Sequence, residues 1–181
     1  LSMKLKIKVK RLNKYLILPK VIKKGDWIDL RASALAYFVA PQAGTLKKHT
    51  VNGTTISHRD VAFAYGLIPL GVAMKLPDGF EAIIAPRSST LRKFGLIQSN
   101  GIGVVDNSYC GDNDEWCMPV MAIRDTEINM NDRICQFRIQ LSQKATVWQK
   151  IKWLLSSGIK LIEVDELNNP DRKGIGSTGV K

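Results

Sequence analysis

Residues 100–111 read Asn-Gly-Ile-Gly-Val-Val-Asp-Asn-Ser-Tyr-Cys-Gly, a glycine-rich bend followed by a short apolar run, a carboxylate and an aromatic ring. The apolar run predicts a short strand that ends at Asp106. Because glycine has no side chain, Gly101 and Gly103 would let the backbone of such a hairpin approach a planar ligand closely. A carboxylate at Asp106 would be available to orient and deprotonate a water molecule. A plain β-turn at Asp106 and Asn107 is the alternative, and the residues alone leave both open.

Similar short strand-like runs fill most of the chain. In residues 4–10 lysine alternates strictly with Leu5, Ile7 and Val9, which predicts a strand with one buried and one solvated face. Further runs of strand character lie at 27–32, 61–65, 68–76, 80–85, 103–105, 116–124, 133–141 and 160–164. Turn residues separate them at 41–42, 52–53, 77–79 and 129–132. Many short strands with few helical periods predict an all-β sandwich or barrel.

Two segments depart from the strand pattern, and each predicts a short helix. Residues 88–94 follow Pro86 and Arg87, and Gly95 comes directly after them. We expect serine hydroxyls to cap the first turn of this helix. Residues 148–155 carry apolar side chains at helical spacing and predict a short amphipathic helix.

The length of the chain, 181 residues, fits one domain, which we place at residues 1–165. Residues 166–181 are polar and glycine-rich and cannot bury a core of their own. They predict a flexible C-terminal arm.

Composition and charge narrow the class of protein. Lysine and arginine number 27 against 16 acidic residues, a net charge of +11, and nine of the basic residues precede Asp26, the first acidic one. This excess favours a polyanionic partner, either a nucleotide or a nucleic acid. Three cysteines without a CxxC spacing and two histidines predict neither a disulfide framework nor a Cys/His zinc site. No apolar run has the length of a membrane span or a secretory signal, so we expect a soluble cytoplasmic protein without a membrane partner.

Two segments have the parts of an anion site. Residues 174–179 read Gly-Ile-Gly-Ser-Thr-Gly after Arg172, which supplies backbone N–H groups, the hydroxyls of Ser177 and Thr178, and a cation. A flexible tail is the alternative for this segment. Residues 87–89 read Arg-Ser-Ser at the start of the first predicted helix, where an ordinary helix cap is the alternative.

Taken together and in order, five segments resemble the five motifs of the homotrimeric dUTP diphosphatase (dUTPase) family. Any one of them could arise by chance, but five in order over nearly the whole chain are a specific signal. The segments are Asp29-Leu30-Arg31-Ala32, Pro86-Arg87-Ser88-Ser89, residues 100–111, Asp132-Arg133-Ile134-Cys135-Gln136, and residues 172–179.

The resemblance implies a distorted jelly roll of the β-clip type that assembles into a homotrimer. Its three active sites lie at subunit interfaces, each closed by the C-terminal arm of a neighbouring chain. Tyr109 packs under the deoxyribose and leaves no room for a 2′-hydroxyl. The hairpin residues that hold uracil are then Asn100, Gly101, Gly103, Val104 and Val105.

The same resemblance implies that Asp106 activates water for attack on the α-phosphorus of dUTP, giving dUMP and pyrophosphate. Such a reaction keeps uracil out of DNA and supplies dUMP for dTMP synthesis. Asp29 supports the site from behind the substrate-binding residues. Mg2+ is the implied cofactor, held by the triphosphate and water rather than by protein ligands. The implied phosphate-binding residues are Arg87, Ser88, Ser89, Gln136, Arg172, Ser177 and Thr178.

Departures from the family pattern accompany the resemblance. Ile175 stands where the last motif usually has an aromatic residue, and Ser108 and Cys110 replace common residues of the third motif. An acidic insertion follows at 112–115, and residues 140–170 are longer than the family pattern requires.

Three other functions stay open at this point. A dCTP deaminase, from the homologous branch, needs a glutamate after the third motif, where this chain has Trp116 with Glu115 beside it. An idle nucleotide sensor or partner-binding protein would use the same binding residues, with 140–170 as an interface. A nucleic-acid binder fits the charge, but the sequence predicts no groove-entering helix and no basic segment interleaved with aromatics, so we do not expect one.

Overall fold

The computed structural model of the chain describes residues 3–172. Within that span the backbone is mostly β-strand with two short helices. In chain order the elements are β1 (Met3–Arg11), β2 (Ile28–Arg31), β3 (Ala36–Phe38), β4 (Gln42–Val51), β5 (Thr54–Ala62), β6 (Tyr65–Pro69), β7 (Val72–Lys75), β8 (Phe80–Pro86), α1 (Thr90–Phe94), β9 (Leu96–Gln98), β10 (Gly103–Val105), β11 (Cys117–Ala122), β12 (Thr126–Ile128), β13 (Arg133–Leu141), α2 (Val147–Leu154) and β14 (Ser156–Val164).

The strands form several small sheets rather than one large one. A four-stranded sheet has the order β10-β8-β13-β2, and two three-stranded sheets have the orders β14-β1-β7 and β6-β11-β9. Strand β1 pairs with β14 in parallel and with β7 antiparallel, so the first and last strands lie side by side. The pairs β12-β3 and β4-β5 complete the pattern.

The core lies between these sheets and is built from alternating side chains. Leu5, Ile7 and Val9 of β1 are almost completely buried, whereas the lysines between them face solvent, as the alternation predicts. Trp116 and Phe137, both buried, meet edge to face with ring centroids 5.3 Å apart.

The all-β prediction with two short helices is confirmed, and most predicted strands lie within a few residues of the observed ones. The run at 68–76 is divided into β6 and β7, because Gly71 turns the backbone there with φ of 65°. The long hairpin of β4 and β5 was predicted only by its turn, at Asn52 and Gly53.

Helix α2 and strand β14 account for the long segment 140–170. Thr146 caps α2 and forms a reciprocal capping box with Gln149. Trp153 turns inward against Phe80, with ring centroids 5.3 Å apart, and β14 then pairs along β1. The segment therefore extends the fold of the domain.

Among residues 3–172, no helix is both long and apolar enough to cross a membrane.

Candidate active site

Three of the predicted motifs meet at one end of the sheet β10-β8-β13-β2. Gln136 on β13 pairs with Ala85 of β8 and with Asp29 of β2. Arg87 follows the last residue of β8, and its Nε donates to Asp29 Oδ1 at 2.7 Å. Arg133 Nη1 donates to the other oxygen of Asp29 at 3.1 Å. We call this group of four residues, Asp29, Arg87, Arg133 and Gln136, the arginine end of the sheet.

Asp29 holds Arg87 by its Nε, which leaves the terminal amino groups of Arg87 without a hydrogen bond in the described part of the chain. A guanidinium held in this way presents two donors in a fixed plane, which is the geometry that phosphate oxygens accept. Gln136 Nε2 donates to Pro86 O at 3.2 Å and ties β13 to the start of the Arg-Ser-Ser turn.

Thr90 fixes the turn at Ser88 and Ser89, and sequence reasoning missed it. The Thr90 hydroxyl, fully buried, accepts from Arg87 N at 3.0 Å and donates to Ile134 O at 2.7 Å. The prediction that serine hydroxyls cap α1 is wrong, because Ser89 occupies the N-cap position with φ of −92° and makes no side-chain cap. Thr90 already satisfies the turn, so neither serine hydroxyl is used for a cap.

The hairpin of residues 98–109 forms the second half of the site. Gly101 has φ of 68°, and a Cβ there would meet no atom within 4 Å, so this backbone is open to a ligand. At Gly103 a Cβ would lie 3.1 Å from Ile84 Cβ, so glycine lets β10 pack closely on β8. Gln98, also missed from the sequence, donates to Ile84 O at 3.2 Å and to Asn100 Oδ1 at 2.9 Å. Because Gln98 holds the side-chain oxygen of Asn100, the amide nitrogen of Asn100 is the group that can face a ligand.

Asp106 follows β10 directly, and its side chain is 58% exposed. Its Oδ2 accepts from Arg172 Nη1 at 2.8 Å, and the same nitrogen donates to Ser108 Oγ at 2.9 Å. Asp106 O accepts from Tyr109 N at 3.0 Å, which is a turn contact. Asp106 therefore forms the β-turn and also presents an exposed carboxylate, so the two alternatives of the sequence do not exclude each other.

Tyr109 ends the same turn and donates its hydroxyl hydrogen to Glu115 O at 3.0 Å. Burial, assisted by Asp114 and other nearby acidic groups, raises the pKa of Tyr109 above its ordinary value. The phenol therefore stays protonated and keeps its hydrogen bond. This bond fixes the ring, which the family resemblance expects under the sugar.

Cysteine chemistry does not fit this site. Burial raises the pKa of Cys110, the thiol next to Tyr109, and it raises the pKa of Cys117 to about 11. Both are thiols at neutral pH and are poor nucleophiles.

The two halves of the site lie at opposite ends of one strand. Val105 pairs with Ala82, near the start of β8, whereas Arg87 follows its last residue. Five residues of extended strand between Ala82 and Arg87 correspond to about 17 Å. Asp106 and the arginine end of one chain therefore cannot meet on one phosphate chain.

The predicted site residues thus fall into two groups. One is the arginine end with Ser88 and Ser89, and the other gathers the hairpin residues from Asn100 to Tyr109 with Arg172. Ser177, Thr178 and Ile175 lie outside the described residues.

The glutamate position of a dCTP deaminase does not offer a free carboxylate. Trp116 is buried in the core. Glu115 Oε1 accepts from Gly71 N at 2.8 Å and from Ser33 Oγ at 3.5 Å, so this carboxylate is used inside the fold.

Comparisons with known proteins agree with the geometry. The family model described as dUTPase matches residues 54–152. A prophage-derived deoxyuridine 5'-triphosphate nucleotidohydrolase of Bacillus subtilis is 43% identical over 177 residues, which cover 98% of this chain and 100% of that protein. The deoxyuridine 5'-triphosphate nucleotidohydrolase of Neorickettsia sennetsu is 33% identical over 119 residues, 65% of this chain and 70% of that protein.

Solved structures show the same fold at lower identity. A dUTPase from Streptococcus mutans superposes with a TM-score of 0.58 at 19% identity, covering 77% of this chain and 98% of that one. A variant dUTPase of Staphylococcus bacteriophage 80alpha with dUpNHpp gives a TM-score of 0.56 at 16% identity, covering 96% and 98%. The predicted jelly-roll fold is thereby confirmed. From the family model and the extent of the Bacillus match, the chain belongs to the dUTPase family.

Proposed function

We propose that the protein is a dUTP diphosphatase, which hydrolyses dUTP to dUMP and pyrophosphate. The observation that carries the proposal is the exposed Asp106 carboxylate beside a glycine-rich hairpin, with Arg172 on its Oδ2. A base, a backbone open to a planar ring and a cation then meet in one place. Membership of the dUTPase family supports the same reaction.

In this proposal the hairpin of residues 98–109 selects the nucleobase. Gln98 engages Asn100 Oδ1, so the Asn100 amide donates toward the ligand. Uracil carries a carbonyl at its fourth position, which can accept a hydrogen bond from this amide. Cytosine carries an amino group there, so two hydrogen-bond donors would face each other. A polar mismatch of this kind discriminates strongly, because it leaves a buried group unpaired. The open backbone at Gly101 lets the main chain of Gly103, Val104 and Val105 complete the contact.

Asp106 supplies the base for hydrolysis. Its Oδ2 is taken by Arg172, and its Oδ1 is without a hydrogen bond among the described residues. That oxygen can accept a proton from water as the water oxygen attacks the α-phosphorus. The bond from the α-phosphorus to the bridging oxygen then breaks, pyrophosphate leaves with the electron pair, and Asp106 returns its proton to solvent. Alignment and charge neutralisation supply most of the rate enhancement in such transfers.

The phosphate chain is bound by the arginine end and its turn. Arg87, Ser88, Ser89 and Gln136 would contact the phosphates, with Asp29 holding the Arg87 guanidinium in position. Arg172, Ser177 and Thr178 would close over the outer phosphates.

Mg2+ fits this site through the substrate. Residues 3–172 hold no cluster of three or more His, Cys, Asp or Glu side chains able to cage a metal ion. The exposed Asp106 carboxylate is an oxygen acceptor of the kind that binds the water shell of magnesium. When bound with the triphosphate, the ion neutralises its charge. In our proposal the protein contributes hydrogen bonds to that water rather than direct ligands.

We infer that a homotrimer completes the site. The roughly 17 Å between Asp106 and Arg87 along one strand requires the arginine end to come from a second copy. Cyclic symmetry then builds equivalent sites at every interface.

The test is release of pyrophosphate and ammonia from dUTP, dCTP, dTTP and UTP with magnesium. We expect pyrophosphate from dUTP alone. Ammonia from dCTP would indicate a deaminase. No product from any of the four nucleotides would indicate a sensor or binding protein.

A further inference from the structure

The side chain of Asn107, the residue after the proposed base, binds the turn that leads into β8. We call this turn, residues 76–80 with the sequence Leu-Pro-Asp-Gly-Phe, the proline turn. Asn107 Nδ2 donates to Pro77 O at 2.8 Å. It also lies 3.3 Å from Leu76 O and 3.4 Å from Phe80 O. Three carbonyl oxygens fix the orientation of this amide, because only its nitrogen can donate to them.

These bonds continue the contact between β10 and β8 past the end of their ladder. Val105 and Ala82 are the last paired residues. Asn107 lies two residues beyond Val105, and the proline turn ends two residues before Ala82. The Asn107 side chain therefore joins the two segments where backbone pairing has stopped. Both segments belong to adjacent strands of one sheet, so the contact lies inside the domain.

The proline turn is itself held on another side by α2. Gly79 has φ of 83°, and its carbonyl accepts from Ser142 N at 2.9 Å. A Cβ built on Gly79 would overlap the side-chain amide of Gln149, which belongs to the capping box of α2. Phe80 packs edge to face against Trp153 of the same helix. The turn is thus a fixed point to which Asn107 can bind.

The direction of the Asp106 carboxylate depends on this anchor. Its side chain is short and 58% exposed, so core packing does not fix it. Its backbone is set by the ladder at Val105 on one side and by Asn107 on the other, and its carbonyl accepts from Tyr109 N at 3.0 Å. A general base must lie within hydrogen-bond reach of the proton that it takes. A displacement of about 1 Å can cost about 100-fold in rate.

We propose that Asn107 is a positioning residue, which holds the backbone of Asp106 against the proline turn so that the carboxylate faces the attacking water. Helix α2 supports the same arrangement from behind the turn. None of the roles implied by the family resemblance falls on Asn107. The inference rests on the proposed function, which makes Asp106 the base.

Steady-state kinetics of two variants test the inference. Asn107→Ala deletes the amide, and Asn107→Asp keeps its shape but places an oxygen against the three carbonyls. In both we expect kcat for dUTP to fall by about 10-fold to 100-fold, because the base is displaced. KM and the affinity for a non-hydrolysable dUTP analogue should change little, since the hairpin residues before Asp106 hold the uracil in our proposal.

Asn13→Ala is the matched control. Asn13 Nδ2 also donates to a backbone carbonyl, that of Ser33, at 2.7 Å, but we assign Asn13 no part in binding or catalysis. This variant should keep the wild-type kcat. Wild-type kcat in either Asn107 variant would overturn the inference.

A second background separates positioning from folding. When Asn107→Ala is combined with Asp106→Asn, no base is left to position, so the residual turnover should fall no further. A further loss as large as the one in the wild-type background would show that Asn107 acts on the fold or on binding, and would overturn the inference.

Hydrogen exchange gives a readout that needs no turnover. The Tyr109 amide bonds to Asp106 O, so its exchange, followed by NMR, should become about 5-fold faster in Asn107→Ala, as for the loss of one hydrogen bond. Unaltered exchange would overturn the inference. An inactive wild-type enzyme would instead count against the proposed function, and the exchange of Tyr109 would still decide whether Asn107 holds the turn at Asp106.

Discussion

Asp106 is exposed and held by one oxygen, so its removal should affect chemistry rather than folding. Asp106→Asn keeps the size and the hydrogen bond to Arg172 but removes the base. We expect turnover of dUTP to fall by at least about 100-fold, the lower end of what general bases contribute. Binding of a non-hydrolysable dUTP analogue, measured by calorimetry, and the thermal midpoint should change little. A variant with wild-type turnover would exclude Asp106 as the base.

Gln98 is a buried residue whose value lies in the orientation it gives to Asn100. Its Oε1 is buried without a partner, while its Nε2 bonds Ile84 O and Asn100 Oδ1. Gln98→Met keeps the volume and removes both groups. We expect the ratio of kcat/KM for dUTP over dCTP to shrink by about 10-fold, since losing one oriented hydrogen bond costs about 1 kcal/mol or more.

The matched control for this prediction is Ile97→Val, a change on the exposed face of the same strand. It should leave the ratio of the two nucleotides unaltered. If Gln98→Met lowers kcat/KM for dUTP and dCTP equally, Gln98 supports the fold and does not select the nucleobase.

At the scale of elements, the contact of Asp112 with the backbone of Leu167 and Asn168 should depend on pH. Backbone hydrogen bonding from Leu167, together with Lys10, lowers the pKa of Asp112 from its ordinary 3.8. Hydrogen bonds from Asn113 likewise lower the pKa of Asp171. A lowered pKa in the folded state means that the contact contributes fully above the ordinary value and is lost as pH falls through the lowered one.

NMR titration of the Leu167 and Asn168 amides measures this dependence. Their shifts should stay constant from neutral pH to about 4 and then move with a midpoint below the ordinary pKa of 3.8. Asp112→Asn removes the titration, and a midpoint at or above the ordinary value would contradict the proposed contact.

Removal of the arm should separate activity from stability. In a chain that ends at Pro170, Arg172 and the predicted phosphate-binding hydroxyls are absent. We expect turnover to fall by about 100-fold or more, as on loss of a group that stabilises developing charge. The thermal midpoint, measured by calorimetry, should fall by only a few degrees, because the core lies elsewhere. Equal turnover in the shortened chain would contradict this prediction.

Asp114 provides a matched test of the same element. Asp114→Ala should lower turnover in the full chain, yet add no further loss of turnover in the chain ending at Pro170. It also breaks the bond to Gly111 N, so some stability is lost in both backgrounds. A loss of turnover of equal size in both would show that Asp114 acts on the fold alone.

Local pattern predicted those elements whose side chains alternate. Strand β1 was clear from its sequence because every second residue is buried. The hairpin of β4 and β5 was not, since both of its strands are exposed almost throughout and carry no apolar period; only Asn52-Gly53 indicated its turn. The pairing of β1 with β14 joins residues more than 150 positions apart, which no local window detects.

The residues of the candidate site also differ in whether the sequence alone could predict them. Its motifs were found as groups of chemically suited residues in order. Thr90, Arg133 and Gln98 were missed because their importance lies in contacts made across the fold. Arg133 was visible inside its motif, but only the structure shows it sharing Asp29 with Arg87.

At the scale of the whole molecule, our proposal places two half-sites of one chain at opposite ends of β8. A monomer would therefore be inactive in our proposal, and light scattering after gel filtration should give three times the 20.2 kDa of one chain. The mass alone does not show that sites are shared, so the two half-sites must also be separated by mutation.

Mixing Asp106→Asn chains with Arg87→Ala chains makes that separation. Each variant alone should be inactive, the first for lack of a base and the second for lack of a phosphate-binding guanidinium. In each mixed trimer one site of three pairs the intact Asp106 of one chain with the intact Arg87 of another, which restores about one third of wild-type turnover. Assemblies isolated through two different tags, assayed by pyrophosphate release, measure this recovery. Because the strand geometry keeps Asp106 and Arg87 of one chain apart, mixed trimers that stay as inactive as the separate variants would mean that the two residues do not serve a common site.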